Sequence, residues 1–133
     1  MKKLFCFGVT LMMCLSLFAQ RPTKERFTEV CDSLGIHHPN VVYAQARLES
    51  GNFSSTTYNV KKNCLGIYDS KNKCYKKFNS WIECLESYRD EVQYKCKNTG
   101  GTDDNYLDWI ISMGYATDTL YRPKVKQILR EKK

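Results

Sequence analysis

The sequence predicts a mainly helical α+β domain: two helices, a small β-hairpin, then three more helices. Three observations carry that expectation. Apolar residues recur at helical spacing in five segments. The segment from Cys64 to Phe78 reads instead as two short extended runs about a polar turn. The first nineteen residues read as a leader, leaving a length that suits one core.

The leader comes first in the chain. Lys2 and Lys3 precede an apolar run from Leu4 to Phe18, and Ala19 closes it before a polar chain begins. This is the pattern of a signal peptide over residues 1–19, cut after Ala19. The run is short of the about 20 apolar residues a membrane span needs. A retained N-terminal anchor is the alternative. A lipid anchor on Cys14 is disfavoured by the bulky Met12 and Met13 before it. Export places the protein outside the cell or in the periplasm, with residues 20–133 as its one domain.

Thr23 to Leu34 forms the first predicted helix, with Phe27, Val30, Cys31 and Leu34 on one stripe and Gly35 as its stop. Pro39 suits the first turn of the second, which runs through Val41, Val42, Ala44, Ala46 and Leu48 and ends at Ser50-Gly51. Asn52 to Lys62 is rich in Ser, Thr and Asn and reads as a loop. In the hairpin, Asp69-Ser70-Lys71-Asn72 makes the turn. Ser80-Trp81-Ile82-Glu83 is a capping box that starts the third helix. Its apolar face carries Trp81, Leu85, Tyr88 and Val92. Asn105 to Met113 is a shorter helix, and the last begins between Asp118 and Pro123. Repeats and low-complexity linkers are absent from the sequence.

Composition narrows the function classes. The chain has 21 basic and 14 acidic residues, a net charge of +7. Loss of Lys2 and Lys3 takes the basic count from 21 to 19 against 14 acids, about +5. That balance suits an anionic surface such as a cell wall. The basic residues are scattered and form no arginine-rich stripe or aromatic-interleaved motif, so nucleic acid is not an expected partner. With no CxxC, and His37 and His38 adjacent in a loop, neither metal nor cofactor is expected. Five cysteines, Cys31, Cys64, Cys74, Cys84 and Cys96, remain after the leader. An oxidising compartment then allows at most two disulfides and one free thiol. Cys84 and Cys96 fall on one predicted helix about 18 Å apart, which excludes that pair.

Glu49 is the candidate for chemistry. It lies seven residues after Val42, at the edge of the apolar stripe, and in the last helical turn. The helix dipole there disfavours a negative charge. Partial burial and the dipole both raise a carboxyl pKa, as a general acid near neutral pH requires. An ordinary solvated glutamate at a helix end is the competing reading.

Four ordered blocks weigh against that reading. Ala44-Gln45-Ala46-Arg47-Leu48-Glu49-Ser50-Gly51 resembles the helix-end motif of the glucosaminidase family, glycoside hydrolase family 73. Asn63-Cys64-Leu65-Gly66-Ile67 resembles its asparagine–leucine–phenylalanine–glycine–isoleucine strand. Tyr75 to Trp81 resembles the returning strand and next helix start. Gly114-Tyr115-Ala116-Thr117-Asp118, with Tyr121 and Val125, resembles its C-terminal block. The resemblance implies a lysozyme-like fold with a small β lobe beside the cleft. It implies a peptidoglycan or related N-acetylglucosamine polymer as substrate, cut after N-acetylglucosamine, and Glu49 as proton donor. A monomer is expected.

The second carboxylate is less legible. Asp69 in the hairpin turn is the best-placed acid for the opposite wall, although a turn-forming role suits it equally. Without a second acid, the substrate's own 2-acetamido group can serve as nucleophile. Tyr115 is the first candidate sugar platform, followed by Tyr88 and Tyr68. For Tyr88 a core role competes, because it lies on the apolar stripe. Trp81 and Trp109 are assigned to the core. Asn52-Phe53 stand where the family often has tryptophan-glycine, and Phe53 is the candidate to replace the tryptophan in a subsite. Two further readings stay open: a non-catalytic glycan-binding module on the same fold, and a lytic transglycosylase or muramidase.

Overall fold

The computed structural model describes residues 21–131; the predicted leader lies outside them. Six α-helices and one small sheet succeed one another in order: α1 (Lys24–Ser33), α2 (Pro39–Glu49), α3 (Thr56–Lys61), β1 (Tyr68–Asp69), β2 (Cys74–Tyr75), α4 (Trp81–Glu91), α5 (Asp103–Ser112) and α6 (Tyr121–Arg130). The architecture is the predicted mainly helical α+β domain with a two-stranded antiparallel lobe.

Helix α2 is the centre of the fold. Val41 to Ala46 are all buried, so the helix is covered around its girth rather than along one stripe. It packs on α1, α5 and α6. Pro39 opens it, preceded by His38 in a left-handed conformation (φ 56°). His38 stacks on Tyr106 at 4.7 Å. Its Nδ1 meets Asp103 at 2.7 Å and its Nε2 the Thr99 carbonyl at 2.9 Å, which ties the start of α2 to the start of α5. Both ring nitrogens are therefore engaged. Among the described residues no group of His, Cys, Asp and Glu is placed to hold a metal ion.

The structure revises four expectations. The segment read as a loop contains α3, because the Ser55 hydroxyl caps it by accepting from Tyr58 N at 3.1 Å. Tyr58 then packs edge-on against Phe53 at 5.5 Å. Helix α4 starts as predicted, with Ser80 accepting from Glu83 N, but the Glu83 carboxylate reaches Asn79 N rather than Ser80 N. It stops at Glu91, and a 3₁₀ turn comes next at Gln93–Lys95. Cys84 and Cys96 thus do not share a helix, and the geometric exclusion of that pair loses its premise. Helix α5 begins two residues earlier than expected, because Thr102 and Asn105 cap one another reciprocally.

All five described cysteines are free thiols, so the disulfides expected from sequence are not formed here. Cys31, Cys64 and Cys84 are fully buried in the core, and burial pushes the Cys31 thiol up to about 12. The Cys84 thiol donates to Asn63 Oδ1 at 3.6 Å, and burial above all, with Cys84 beside it, holds the Cys64 thiol well above its ordinary value. No helix among the described residues is long and apolar enough to cross a membrane.

Candidate active site

Glu49 is the last residue of α2, and the chain turns sharply behind it. Ser50 closes the helix: its N–H and its hydroxyl both donate to the Ala46 carbonyl, and its oxygen accepts from Phe53 N at 2.8 Å. Gly51, Asn52 and Phe53 come next with φ of 57°, 58° and 59°, a left-handed turn that is costly for any residue but glycine. The Arg47 guanidinium donates to Asn52 Oδ1 at 2.9 Å. Phe53 gains a core position among Phe27, Tyr43 and Tyr58.

The opposite wall is the turn from Asn63 to Ile67. Asn63 is buried and organises it. Its Oδ1 accepts from Ile67 N at 2.9 Å, and its two amide hydrogens go to the carbonyls of Ile67 and Lys76 at 2.8 and 3.0 Å. The turn brings Gly66 against Glu49. A Cβ built on Gly66 would lie 2.9 Å from Glu49 Oε2, and φ there is +63°. Only glycine meets both conditions. The Tyr115 hydroxyl donates to the Leu65 carbonyl, which pins the loop before α6 to the same turn.

Glu49 and Gly66 share two adjoining cavities. One of about 230 Å³ is lined by Glu49, Gly66, Tyr58, Asn63 and Tyr75. The other, about 350 Å³, runs from Glu49, Gly66 and Tyr75 to Tyr115, Asp118 and Tyr121. A third of about 320 Å³ continues past Gly66 and Tyr115 to Tyr68. The three form a groove with Glu49 on its floor. A separate cavity of about 300 Å³ between α1, α2 and α6 holds the closed Arg47–Glu131 ion pair (2.6 Å) and does not reach Glu49.

The Glu49 side chain is open to the groove on one side. The surrounding protein still removes enough water from the carboxyl to push its pKa above the ordinary carboxylate value. Among the described residues no side chain hydrogen bonds to it or pairs with it. Its charge in turn helps to raise the Tyr115 and Tyr121 phenols, whose own burial is the larger cause.

The other sequence candidates separate. Tyr115 lines the groove beside Glu49, and Tyr68 lies further along it, half exposed on β1. Tyr88 is wholly buried with its hydroxyl engaged by Gln45 and Tyr106, so no face is left for a sugar. Phe53 is also a core residue, at 3 % exposure. Trp81 stacks on Phe27 in the core, while Trp109 is only partly covered. Asp69 lines none of the three cavities. Its carboxylate accepts from Lys71 N, Asn72 N and the Asn72 amide at 3.0, 3.1 and 2.7 Å. Those bonds, from Asn72 above all, hold its pKa below the ordinary value. It is a turn-forming aspartate in this structure.

The groove also contains residues that sequence reading missed as site residues. Tyr75 faces Glu49 from β2 and meets Tyr68 edge-on at 5.5 Å, because the register pairs Tyr68 with Tyr75. The alternation of the hairpin was the available signal. Asp118 is the second carboxylate in the larger cavity. It is closed by Leu120 N at 2.9 Å and by Lys124 at 2.6 Å, and the Lys124 bond is the main cause of its lowered pKa.

Glu49 therefore shares one groove with Tyr58, Tyr75, Tyr115 and Tyr121, and among the described residues no side chain pairs with it. The family model of glucosaminidases, described as mannosyl-glycoprotein endo-beta-N-acetylglucosaminidase, matches residues 24–133. The chain belongs to the glucosaminidase family. It is accordingly a glycoside hydrolase of the peptidoglycan-degrading kind. A search of curated proteins and a search of solved structures each return no match. The Glu-Ser-Gly step thus has a structural reason in this glucosaminidase: serine ends the helix, glycine starts the reversal, and glutamate is left facing the groove.

Proposed function

We propose that this glucosaminidase is an exported enzyme that cleaves the β-1,4 bond after N-acetylglucosamine in peptidoglycan, with Glu49 as general acid. The observation that carries the reading is the Glu49 carboxyl: raised in pKa, free of partners among the described residues, and set on the groove floor. A protonated Glu49 donates to the leaving glycosidic oxygen, and the resulting carboxylate then draws a proton from water. Tyr75, Tyr115 and Tyr68 run along the groove as stacking faces for successive sugars. The net positive charge favours an anionic wall. Cell-envelope export rests on the leader.

The nucleophile is proposed to be the substrate's own 2-acetamido oxygen. Asp69 and Asp118 are the carboxylates nearest the role, and each is engaged by its own loop. Asp69→Asn is therefore expected to keep activity within about threefold, whereas loss of a true nucleophile costs orders of magnitude. An N-acetylglucosamine thiazoline should inhibit the native enzyme. A thousandfold loss in Asp69→Asn would return Asp69 to the mechanism.

Digestion of purified peptidoglycan, with new reducing ends read by mass spectrometry, tests the assignment. New N-acetylglucosamine ends are expected. Muramic or anhydro-muramic ends would mean a muramidase or lytic transglycosylase, and retained glycan without products would mean a binding module.

A further inference from the structure

A chain of buried side chains runs from the far end of α4 to the groove, and the proton positions along it can be deduced. Gln93 is the anchor. Its Oε1 accepts from His37 N at 2.8 Å, and its Nε2 donates to the His37 carbonyl at 2.9 Å. These backbone partners fix which end of the amide is which. The same Nε2 lies 3.0 Å from the Tyr106 hydroxyl, which must therefore accept. Tyr106 then has, among the described residues, one acceptor for its own hydrogen, the Tyr88 oxygen at 2.6 Å. Tyr88 in turn donates to Gln45 Oε1 at 3.0 Å. Gln45, buried one turn before Glu49, thereby presents its amide to Tyr121, donating at 3.1 Å.

Every donor in this chain points the same way. Tyr121 is the end of it. Its oxygen accepts from Gln45, and its own O–H has no acceptor among the described residues. Tyr121 lines the same cavity as Glu49 and feels its charge.

We propose that Tyr121 is a positioning residue for Glu49, its hydroxyl donating to the Glu49 carboxylate once the acid has given up its proton. This rests on the reading of Glu49 as general acid. Cooperative polarisation along the chain strengthens the terminal donor. The protonated carboxyl benefits less from such a donor than the carboxylate does, so Tyr121 moderates the rise in pKa that burial imposes. It also holds the carboxylate in the groove for the return of its proton. Of the other groups around Glu49, Tyr115 already donates to Leu65, and Lys124 and Asp118 pair with each other.

The test tracks the Glu49 carboxyl carbon by NMR in the full-length protein, which needs no substrate. Tyr121→Phe is expected to tighten proton binding at Glu49 by about tenfold, an upward shift of about one pKa unit. It should also lower kcat about tenfold with KM little changed. Val125→Ala, another buried change on α6, should lower Tm and leave the Glu49 titration where it was. An unchanged Glu49 titration in folded Tyr121→Phe overturns the proposal. Where that variant fails to fold, the ring Cζ signal of native Tyr121 serves. It should move at the Glu49 midpoint and be flat in Glu49→Gln; absence of that inflection overturns the proposal equally. If Glu49→Gln keeps full activity while the Tyr121 coupling is present, the catalytic reading fails and the hydrogen-bond assignment stands.

Discussion

Glu49→Gln lowers turnover on peptidoglycan by about 10²–10⁴-fold, the range general acid catalysis contributes, and at the same time raises thermal stability at neutral pH. The two effects have one cause. Burial raises the Glu49 pKa above its ordinary 4.5, so the fold prefers the protonated form. Native and unfolded chains bind the proton alike well below the unfolded pKa, where the carboxyl costs nothing. As pH rises from about 4.5 through the folded pKa, the unfolded chain ionises first, and the native state loses stability relative to it. Above the folded value the loss is constant. Glutamine has the same shape and no charge to desolvate, so the variant escapes that loss. The expected Tm difference is near zero at pH 4 and opens to about 1–3 °C at pH 7, tempered by the solvent on the open side of the groove. Thermal melts of both proteins across that range, together with turnover at pH 6 to 7, check the pair. A variant as active as the native enzyme would remove Glu49 from the chemistry. A Tm gap that widened towards low pH would contradict the burial argument.

Gly66→Ala has the second large effect, and it falls more on activity than on stability. The added Cβ lies 2.9 Å from Glu49 Oε2, the far end of a flexible side chain that can move aside. The clash is thus relieved cheaply, by displacing the catalytic carboxyl. A displacement of about 1 Å costs on the order of 10²-fold in rate. The backbone cost is separate: alanine at φ +63° loses about 1–2 kcal/mol. Gly35→Ala separates the two terms. Gly35 has φ +71° at the end of α1 and nothing within 4 Å of a built Cβ. It should lose a similar amount of stability and keep its activity. Equal activity losses in both variants would show that backbone strain alone, and not the approach to Glu49, governs the site. Turnover numbers and melting temperatures of the two variants decide the matter.

The elements were legible where local chemistry determines them. Pro39, Gly35 and Ser80 marked helix ends that the structure keeps, and the Asp69–Asn72 turn marked the hairpin. Helix α3 was hidden because Thr56 to Lys61 has little apolar period; it forms through the Ser55 cap and the burial of Tyr58 against Phe53. The end of α4 was hidden too, since Val92 continues the apolar stripe. The 3₁₀ turn beyond it depends on Gln93 reaching the backbone of His37, 56 residues away.

The sequence by itself determined the fold class, the family and the identity of the candidate acid, because those arise from local periodicity and from ordered motifs. Only the tertiary structure decided what surrounds that acid. Tyr88 and Phe53 go to the core, since aromatic rings of their size are stabilised by burial. Asp69 stays in its turn, held by its own neighbours. Gly66, Tyr75 and Tyr121 come to Glu49 from three separate segments. Motif spacing records none of these long-range encounters, because the groove exists only where the α2 terminus, the Asn63–Ile67 turn and the start of α6 pack together.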